Sequence, residues 1–320
     1  MKILFDFDIS DEYVARLKEL APKADFVVSD DENEIKEEIV DSDVLFDFRG
    51  VEKEDIKKAE KLKWMQTWTA GVDKFMKDDF RKVLEEKDVI LTNMSGVHSN
   101  VIAEHSLGFM INFSRRFCDF NEQKNNKVWN RLKVDHLEDK NLVVVGLGSI
   151  GKEIARKAKV FEMNVFGVNR SGEGDFDFVD ELFGQYELNK ALTRADYVVV
   201  IVPLTPETEG MIGKDEFEAM KESAYFINMA RGEVVDEPVM IEALRDGKIA
   251  GAGLDVFAEE PLPEDSPLFE LDNVLITPHV GGAFPGYNKK AIKIVEKNLE
   301  KFVSGNLAEM INKIDYNLGY

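Results

Sequence analysis

Cysteine is almost missing from this chain. Cys118 stands alone in 320 residues, so no disulfide can form within the chain, and a reducing compartment, the cytoplasm, is the expected setting. Long apolar runs are missing too. No stretch reaches the roughly 18 residues a membrane span requires, and the start, Met1-Lys2-Ile3-Leu4-Phe5-Asp6, reads as a first strand rather than a leader. Positive charge is in deficit: 41 Lys and Arg against 62 Asp and Glu leave a formal net charge of −21. That argues against a nucleic-acid partner, which needs a basic footprint. Any anion site must therefore be built locally, because the field of the whole molecule opposes it. The acidity fits either a well-solvated surface or a high-salt setting. Histidine is scarce as well, with four in the chain. His98 and His105 lie seven apart beside Glu104, but no cysteine partner or H-E-x-x-H spacing accompanies them, so no metal is expected. A helix packed near the domain hinge is the expected role of that pair.

What the chain does have is a soluble globular composition, 44% hydrophobic, and enough length for two domains. Short apolar runs at Lys2-Phe7, Asp25-Val28, Val44-Phe48, Trp64-Thr67 and Val89-Thr92 alternate with charged helical stretches at Asp11-Leu20, Glu32-Val40, Glu54-Ala59 and Lys74-Glu86. Such βα repetition predicts a parallel sheet. A second series follows at Leu142-Val145, Asn164-Val168, Tyr197-Ile201, Ala224-Asn228, Gly251-Asp255 and Val274-Thr277, about the strand count of a complete dinucleotide-binding sheet. Ile102-Phe113 is apolar nearly all round and reads as a buried helix. The amphipathic stretch Asn288-Phe302 comes too late to continue the second sheet and is expected to return to the first. The fold class is therefore α/β, with two doubly wound parallel-sheet domains. A Rossmann dinucleotide-binding domain at 97–281 is inserted into a discontinuous, flavodoxin-like substrate domain at 1–96 and 282–320.

Residues 143–151 read Val-Val-Val-Gly-Leu-Gly-Ser-Ile-Gly, a strand breaking into Gly146, Gly148 and Gly151 ahead of a helix at Lys152-Lys159. In a G-x-G-x-x-G turn the first glycine permits the tight bend, the second lets a pyrophosphate approach the backbone, and the third lets helix and strand pack closely. The helix N-terminus then faces the phosphates. Eighteen residues after Gly151 the chain reads Asn169-Arg170-Ser171, with no carboxylate for ribose hydroxyls. Arg170 suits a 2′-phosphate, with Asn169 and Ser171 adding neutral hydrogen bonds. NADP is the expected cofactor in preference to NAD, although Arg170 stacked on adenine or turned to solvent is the alternative.

Three polar residues fall at successive strand ends, where open α/β sheets bind ligands. They are Arg231 in Asn228-Met229-Ala230-Arg231-Gly232, Glu260 in Leu254-Asp255-Val256-Phe257-Ala258-Glu259-Glu260-Pro261, and His279 in Thr277-Pro278-His279. With the glycine turn, and with Thr69-Ala70-Gly71-Val72-Asp73, Ile102-Ala103-Glu104-His105 and Pro203-Leu204-Thr205-Pro206-Glu207-Thr208, these segments resemble the D-isomer-specific 2-hydroxyacid dehydrogenases over most of the chain. The resemblance implies a catalytic triad of Arg231, Glu260 and His279. It implies cofactor contacts from Gly146, Gly148, Ser149, Ile150, Gly151, Pro203, Thr208 and Ala230, with Asp255 holding the nicotinamide carboxamide. Gly71 and Val72 would bind the substrate carboxylate together with Arg231 and His279. The chemistry suits those roles: reducing a 2-keto acid takes a hydride at C2 and a proton on the developing alkoxide. Histidine is the natural donor of that proton, and arginine offers a fork for the carboxylate and carbonyl oxygen.

Some positions depart from the family pattern. Glu162 stands where a glycine commonly precedes the second nucleotide-domain strand, and Phe284 and Tyr287 follow His279 where small or hydroxyl residues are frequent. Phe48 and Arg49 are candidates for contacting the substrate side chain. The expected function is hydride transfer between NADP(H) and the C2 of a 2-keto acid or D-2-hydroxy acid. The competing readings are a dinucleotide-sensing interaction protein with little turnover, and a same-family dehydrogenase acting on formate or phosphite. The resemblance also implies a homodimer, for which Ile102-Phe113 and its continuation through Trp129 are the candidate surface; two domains around a cleft are expected to close on substrate, about hinges near Met94-Ser95-Gly96 and Gly281-Gly282.

Overall fold

The computed structural model describes residues 1–320 except Asp8 and Arg49, and all side chains of the rest except that of Asp78. The chain forms two compact units, Met1–Val97 with Phe284–Tyr320, and His98–Ala283.

The first unit is built on five strands, β1 (Lys2–Phe5), β2 (Asp25–Val28), β3 (Val44–Phe46), β4 (Trp64–Gln66) and β5 (Ile90–Thr92). All neighbours are parallel and the order is β2-β1-β3-β4-β5, the flavodoxin-like winding. Because successive side chains point to opposite faces, the sheet is buried twice. Ile3, Phe5, Val44, Phe46 and Trp64 pack with Leu17, Ala291, Ile292, Val295 and Leu299. Leu4, Leu45, Met65 and Leu91 pack with Ile35, Ile39, Ile56, Phe80 and Leu84. Two-sided burial is why these strands read as apolar runs without alternation. The helix Tyr287–Val303 thus belongs to this sheet, and its Asn298 ties in through polar groups. Asn298 donates to Gln66, whose Oε1 also accepts from Thr92, and the Thr92 hydroxyl in turn accepts from the Trp64 indole at 2.7 Å. Phe48, expected at the substrate, is only 2% exposed and lies edge-on to Phe75 at 4.4 Å in the core. Its ring serves packing, and Arg49 lies outside the described residues.

The second unit carries β6 (Asn141–Val145), β7 (Asn164–Asn169), β8 (Glu181–Gly184), β9 (Tyr197–Val200), β10 (Tyr225–Asn228), β11 (Gly251–Leu254) and β12 (Val274–Ile276). Its order, β12-β11-β10-β9-β6-β7-β8, is again all parallel and reverses between β6 and β9. That reversal is the switch point at which such sheets bind dinucleotides. The edge strand β8 is missing from the sequence reading, because its four residues Glu-Leu-Phe-Gly bury only Phe183. The helix Ser99–Arg115 qualifies a second expectation. Ala103, Ser106, Leu107, Phe109 and Met110 are buried and Ile102, Ile111 and Phe113 are partly buried against the same core, while Glu104 and Gly108 are exposed, so the helix is buried over most of its surface but not all round.

Glu162 closes the turn before β7 with φ +59°, in the left-handed region. A side chain there costs about 1–2 kcal/mol, while glycine costs roughly 0.5–1 kcal/mol in backbone freedom. Glu162→Gly is therefore expected to stabilise the protein by about 0.5–1 kcal/mol, read as a higher urea midpoint at unchanged slope. An unchanged or lower midpoint would show that the Glu162 side chain contributes more than its backbone loses.

Candidate active site

The glycine turn follows β6 directly. Gly146 has φ +105°, and a Cβ on it would sit 2.5 Å from the Ile201 carbonyl oxygen. A Cβ on Gly151 would lie 1.9 Å from the Gly146 carbonyl oxygen, so the helix start presses on the turn itself. Gly148 differs: nothing lies within 4 Å of its Cβ position, and it is exposed, as is Ser149. Two of the glycines answer to packing and the third leaves open space for an incoming group. Gly148 caps the helix Ser149–Val160, with Ile150 half-buried behind it. The first turn has no side-chain cap and no acidic residue. Its N–H groups and positive pole suit a pyrophosphate.

Beside this turn β7 ends at Asn169, parallel to β6. Asn169 accepts from the Gly172 amide at 2.7 Å and donates to the Glu173 carbonyl, while the Ser171 hydroxyl accepts from the Glu173 amide. Both side chains therefore shape the turn, and Arg170 stands exposed between them. The Glu207 carboxyl is held below its ordinary range chiefly by a hydrogen bond from Thr205, with a smaller pull from the Arg170 charge. The Arg170 charge therefore reaches the loop after β9. In that loop Pro203 is exposed, and Thr208 donates to the Pro203 carbonyl at 2.6 Å, so the Thr208 hydroxyl braces the loop.

At the end of β10 the Asn228 side chain accepts from the Ala230 amide and donates to the Arg231 carbonyl, turning the chain out of the sheet. Ala230 is buried, and Arg231 Nη1 donates to its carbonyl at 2.7 Å. Gly232 then seats against the backbone of Phe257 and Ala258, with an added Cβ only 1.9 Å from the Phe257 carbonyl carbon. Glu260 accepts from the Phe257 amide through Oε1 at 3.0 Å, and its Oε2 lies 2.7 Å from His279 Nδ1. Of the four acids Glu259, Glu260, Glu264 and Asp265, Glu260 is the one bonded to His279. A carboxylate only accepts, so Nδ1 carries its hydrogen and Nε2 is left to exchange a proton elsewhere. The His279 side chain remains 50% exposed, which leaves that nitrogen accessible to a small molecule.

His279 itself has φ +52°, a strained conformation that its surroundings must hold. Its amide donates to the carbonyls of Asp255 and Thr277. The Asp255 carboxylate accepts from the Thr277 hydroxyl at 2.6 Å, the Val280 amide at 3.0 Å and the Gly281 amide at 2.8 Å. Buried Asp255 thus fastens the His279 turn, a use beyond the carboxamide contact expected of it. Two residues set aside in the sequence reading also act here. His98 Nδ1 lies 3.0 Å from the Gly282 carbonyl and His105 Nε2 3.0 Å from the Thr277 hydroxyl. Their spacing of seven residues put them on one helical face, and that spacing was the available signal.

In the first unit, Gly71 and Val72 follow β4. The carbonyls of Ala70 and Gly71 accept from Asn93 and Thr69, and that of Thr69 accepts from Thr67 and the Met94 amide. None of these bonds uses the N–H of Gly71 or Val72. Tyr287 donates to the Trp68 carbonyl at 2.6 Å, and its hydroxyl pKa is pushed up by burial. Phe284 lies edge-on to Tyr287, so both aromatics are part of that packing.

Residues 107–281 match the family model described as D-isomer specific 2-hydroxyacid dehydrogenase, NAD binding domain. D-3-phosphoglycerate dehydrogenase of Methanocaldococcus jannaschii is 34% identical over 97% of this chain, which spans 59% of that protein's length. Glyoxylate reductase of Pyrococcus horikoshii is 34% identical over 91% of this chain and 90% of its own. Among solved structures, the NADPH-dependent glyoxylate/hydroxypyruvate reductase of Sinorhizobium meliloti, in complex with NADP and sulfate, superposes with a TM-score of 0.85. It is 25% identical and covers 100% of this chain and 99% of its own. The chain belongs to the D-isomer-specific 2-hydroxyacid dehydrogenases, a family of NAD(P)-dependent oxidoreductases.

Proposed function

We propose that this protein reduces small 2-keto acids of the glyoxylate and hydroxypyruvate class with NADPH in preference to NADH, using Arg231, Glu260 and His279. The observation that carries this reading is the 2.7 Å contact of His279 with Glu260 on a turn clamped by Asp255. Gly146, Gly148, Ser149, Ile150 and Gly151 would hold the pyrophosphate, and Pro203, Thr208, Ala230 and Asp255 would complete the cofactor site. NADPH, when bound, supplies the hydride that adds to C2. Arg231 holds the substrate carboxylate, and its fork also faces the C2 oxygen, where negative charge develops. Protonated His279 donates from Nε2 to that oxygen and becomes neutral, keeping its Nδ1 hydrogen on Glu260. Glu260 positions the ring and balances the imidazolium before transfer. Absorbance at 340 nm tests the reading with glyoxylate, hydroxypyruvate and branched 2-keto acids, and the absence of NADPH and NADH oxidation with all of them overturns it.

The NADP preference is assigned to Arg170, with Asn169 and Ser171 holding its turn in shape and offering their remaining hydrogen-bonding capacity. A charge-assisted bond to a 2′-phosphate contributes about 1.5–3 kcal/mol. Arg170→Asp is therefore expected to lower the NADPH-over-NADH ratio of kcat/KM by about tenfold or more. A ratio left unchanged would place the discrimination elsewhere. A cytoplasmic homodimer completes the proposal. Phe117, Val128 and Trp129 are exposed after the helix Ser99–Arg115, Trp129 at 99%, which suits coverage by a second copy. Light scattering on the purified protein reads the mass directly. No helix among the described residues is long and apolar enough to cross a membrane.

A further inference from the structure

We infer that His105, which touches none of the proposed reacting groups, is a positioning residue for the reaction, acting through Thr277 and Asp255 on the turn that carries His279. The inference rests on the reductase reading above and adds a residue to it.

The direction of the hydrogen bonds follows from proton counting. Asp255 is a carboxylate and only accepts, so the 2.6 Å contact with Thr277 uses the single hydroxyl hydrogen of that threonine. The Thr277 oxygen can then only accept from His105 Nε2, 3.0 Å away. His105 must carry its hydrogen on Nε2, and the chain runs His105 N–H to Thr277 O–H to the Asp255 carboxylate. Asp255 in turn holds the amides of Val280 and Gly281. A Cβ at Gly281 would meet Asp255 Oδ2 at 2.7 Å and Met229 Cε at 2.5 Å. The preceding residue but one, His279, is the one held at positive φ. A fixed Asp255 is therefore a condition for the His279 ring to face Glu260.

Helix and strand are matched to make this contact. Phe109, one turn after His105, lies edge-on to its ring at 4.9 Å. The Phe109 ring occupies the space a side chain on Gly253 would take, with an ideal Cβ there only 2.6 Å from the ring. Gly253 lets the helix lie directly on β11, and one turn earlier His105 then reaches the end of that same strand, where Asp255 begins the loop. His98, two turns before His105, holds the Gly282 carbonyl and so fixes the far side of the same segment.

The test is steady-state reduction of glyoxylate or hydroxypyruvate at saturating NADPH by wild type, His105→Leu, His105→Gln, Thr277→Val and the Leu/Val double variant. Glutamine places a side-chain N–H where His105 Nε2 stands; leucine does not. Misplacing a reacting group by an ångström costs up to about a hundredfold. The expected result is that His105→Leu and Thr277→Val each lower kcat about tenfold with keto-acid KM within about twofold. His105→Gln keeps more than about half of wild-type kcat. The double variant is no slower than either single, because both cut one chain. Wild-type kcat in His105→Leu, a His105→Gln variant as slow as the leucine one, or losses that multiply in the double variant would each overturn the inference. If the leucine variant does not fold, Thr277→Val against His105→Gln makes the same comparison. A wild-type protein inert toward keto acids overturns the reductase reading itself, a result the variants cannot mimic.

Discussion

Replacing His279 with alanine is expected to lower kcat for keto-acid reduction by about a thousandfold, the middle of the range for loss of a positioned general acid. The change removes the one group that Glu260 Oε2 holds at 2.7 Å. It leaves the backbone conformation at position 279 unchanged, since alanine carries the same Cβ that makes φ +52° strained. Stability should barely respond. The ring is half exposed and Glu260 is 34% exposed, so the orphaned carboxylate is met by water. The Asp255 bonds to the Thr277 hydroxyl and to the amides of Val280 and Gly281 all persist. NADPH binding followed by fluorescence should match wild type while turnover at 340 nm collapses. A variant with full turnover would remove His279 from the mechanism and with it the role of Glu260.

Gly232→Ala should act on stability and turnover together. The added methyl would lie 1.9 Å from the Phe257 carbonyl carbon, 2.1 Å from its oxygen and 2.2 Å from the Ala258 nitrogen. All three are backbone atoms, so no rotamer change relieves them, and the loops after β10 and β11 must part. Overpacking of this kind costs about 3 kcal/mol or more, visible as a lower urea midpoint. Separation also pulls apart Arg231, one residue before the glycine, and Glu260, anchored on the Phe257 amide. In the fraction that folds, kcat should therefore fall by up to about a hundredfold. Gly247→Ala is the control. Gly247 has φ +68° but nothing within 4 Å of its Cβ position, so alanine there should cost about 1 kcal/mol and leave kcat alone. A Gly232→Ala variant as stable as Gly247→Ala and with wild-type kcat would show that the Phe257 and Ala258 backbone yields without disturbing the site.

These two sites mark the boundary between what the residue order reveals and what it hides. The glycine turn and the His279 and Glu260 segments were legible because each is a local pattern at the end of an apolar strand. Both sheets were legible for a similar reason, since strands buried on two faces write continuous apolar runs. β8 was not, because an edge strand with one buried residue leaves no such run. Phe48 looked like a strand-end residue facing substrate, but Phe75 from a later segment claims its ring. Asn169 and Ser171 were read as ligands for a phosphate, whereas hydrogen bonds within four residues take up much of their capacity. The work of His105 depends on Thr277, 172 positions away, and the need for glycine at 232 on residues 25 and 26 positions later. No local window contains either relation.

The assignment of Tyr287–Val303 to the first sheet sets an order on biosynthesis. The second unit, residues 98–283, is continuous and can complete its sheet while the ribosome is still working. The first unit cannot. Its strands β1, β3 and β4 emerge early, but the face formed by Ile3, Phe5, Val44, Phe46 and Trp64 waits for Ala291, Ile292, Val295 and Leu299. While residues 98–283 are being made, the nascent chain therefore carries that apolar face uncovered, until the helix Tyr287–Val303 emerges. Of the two units, the one begun first is completed last.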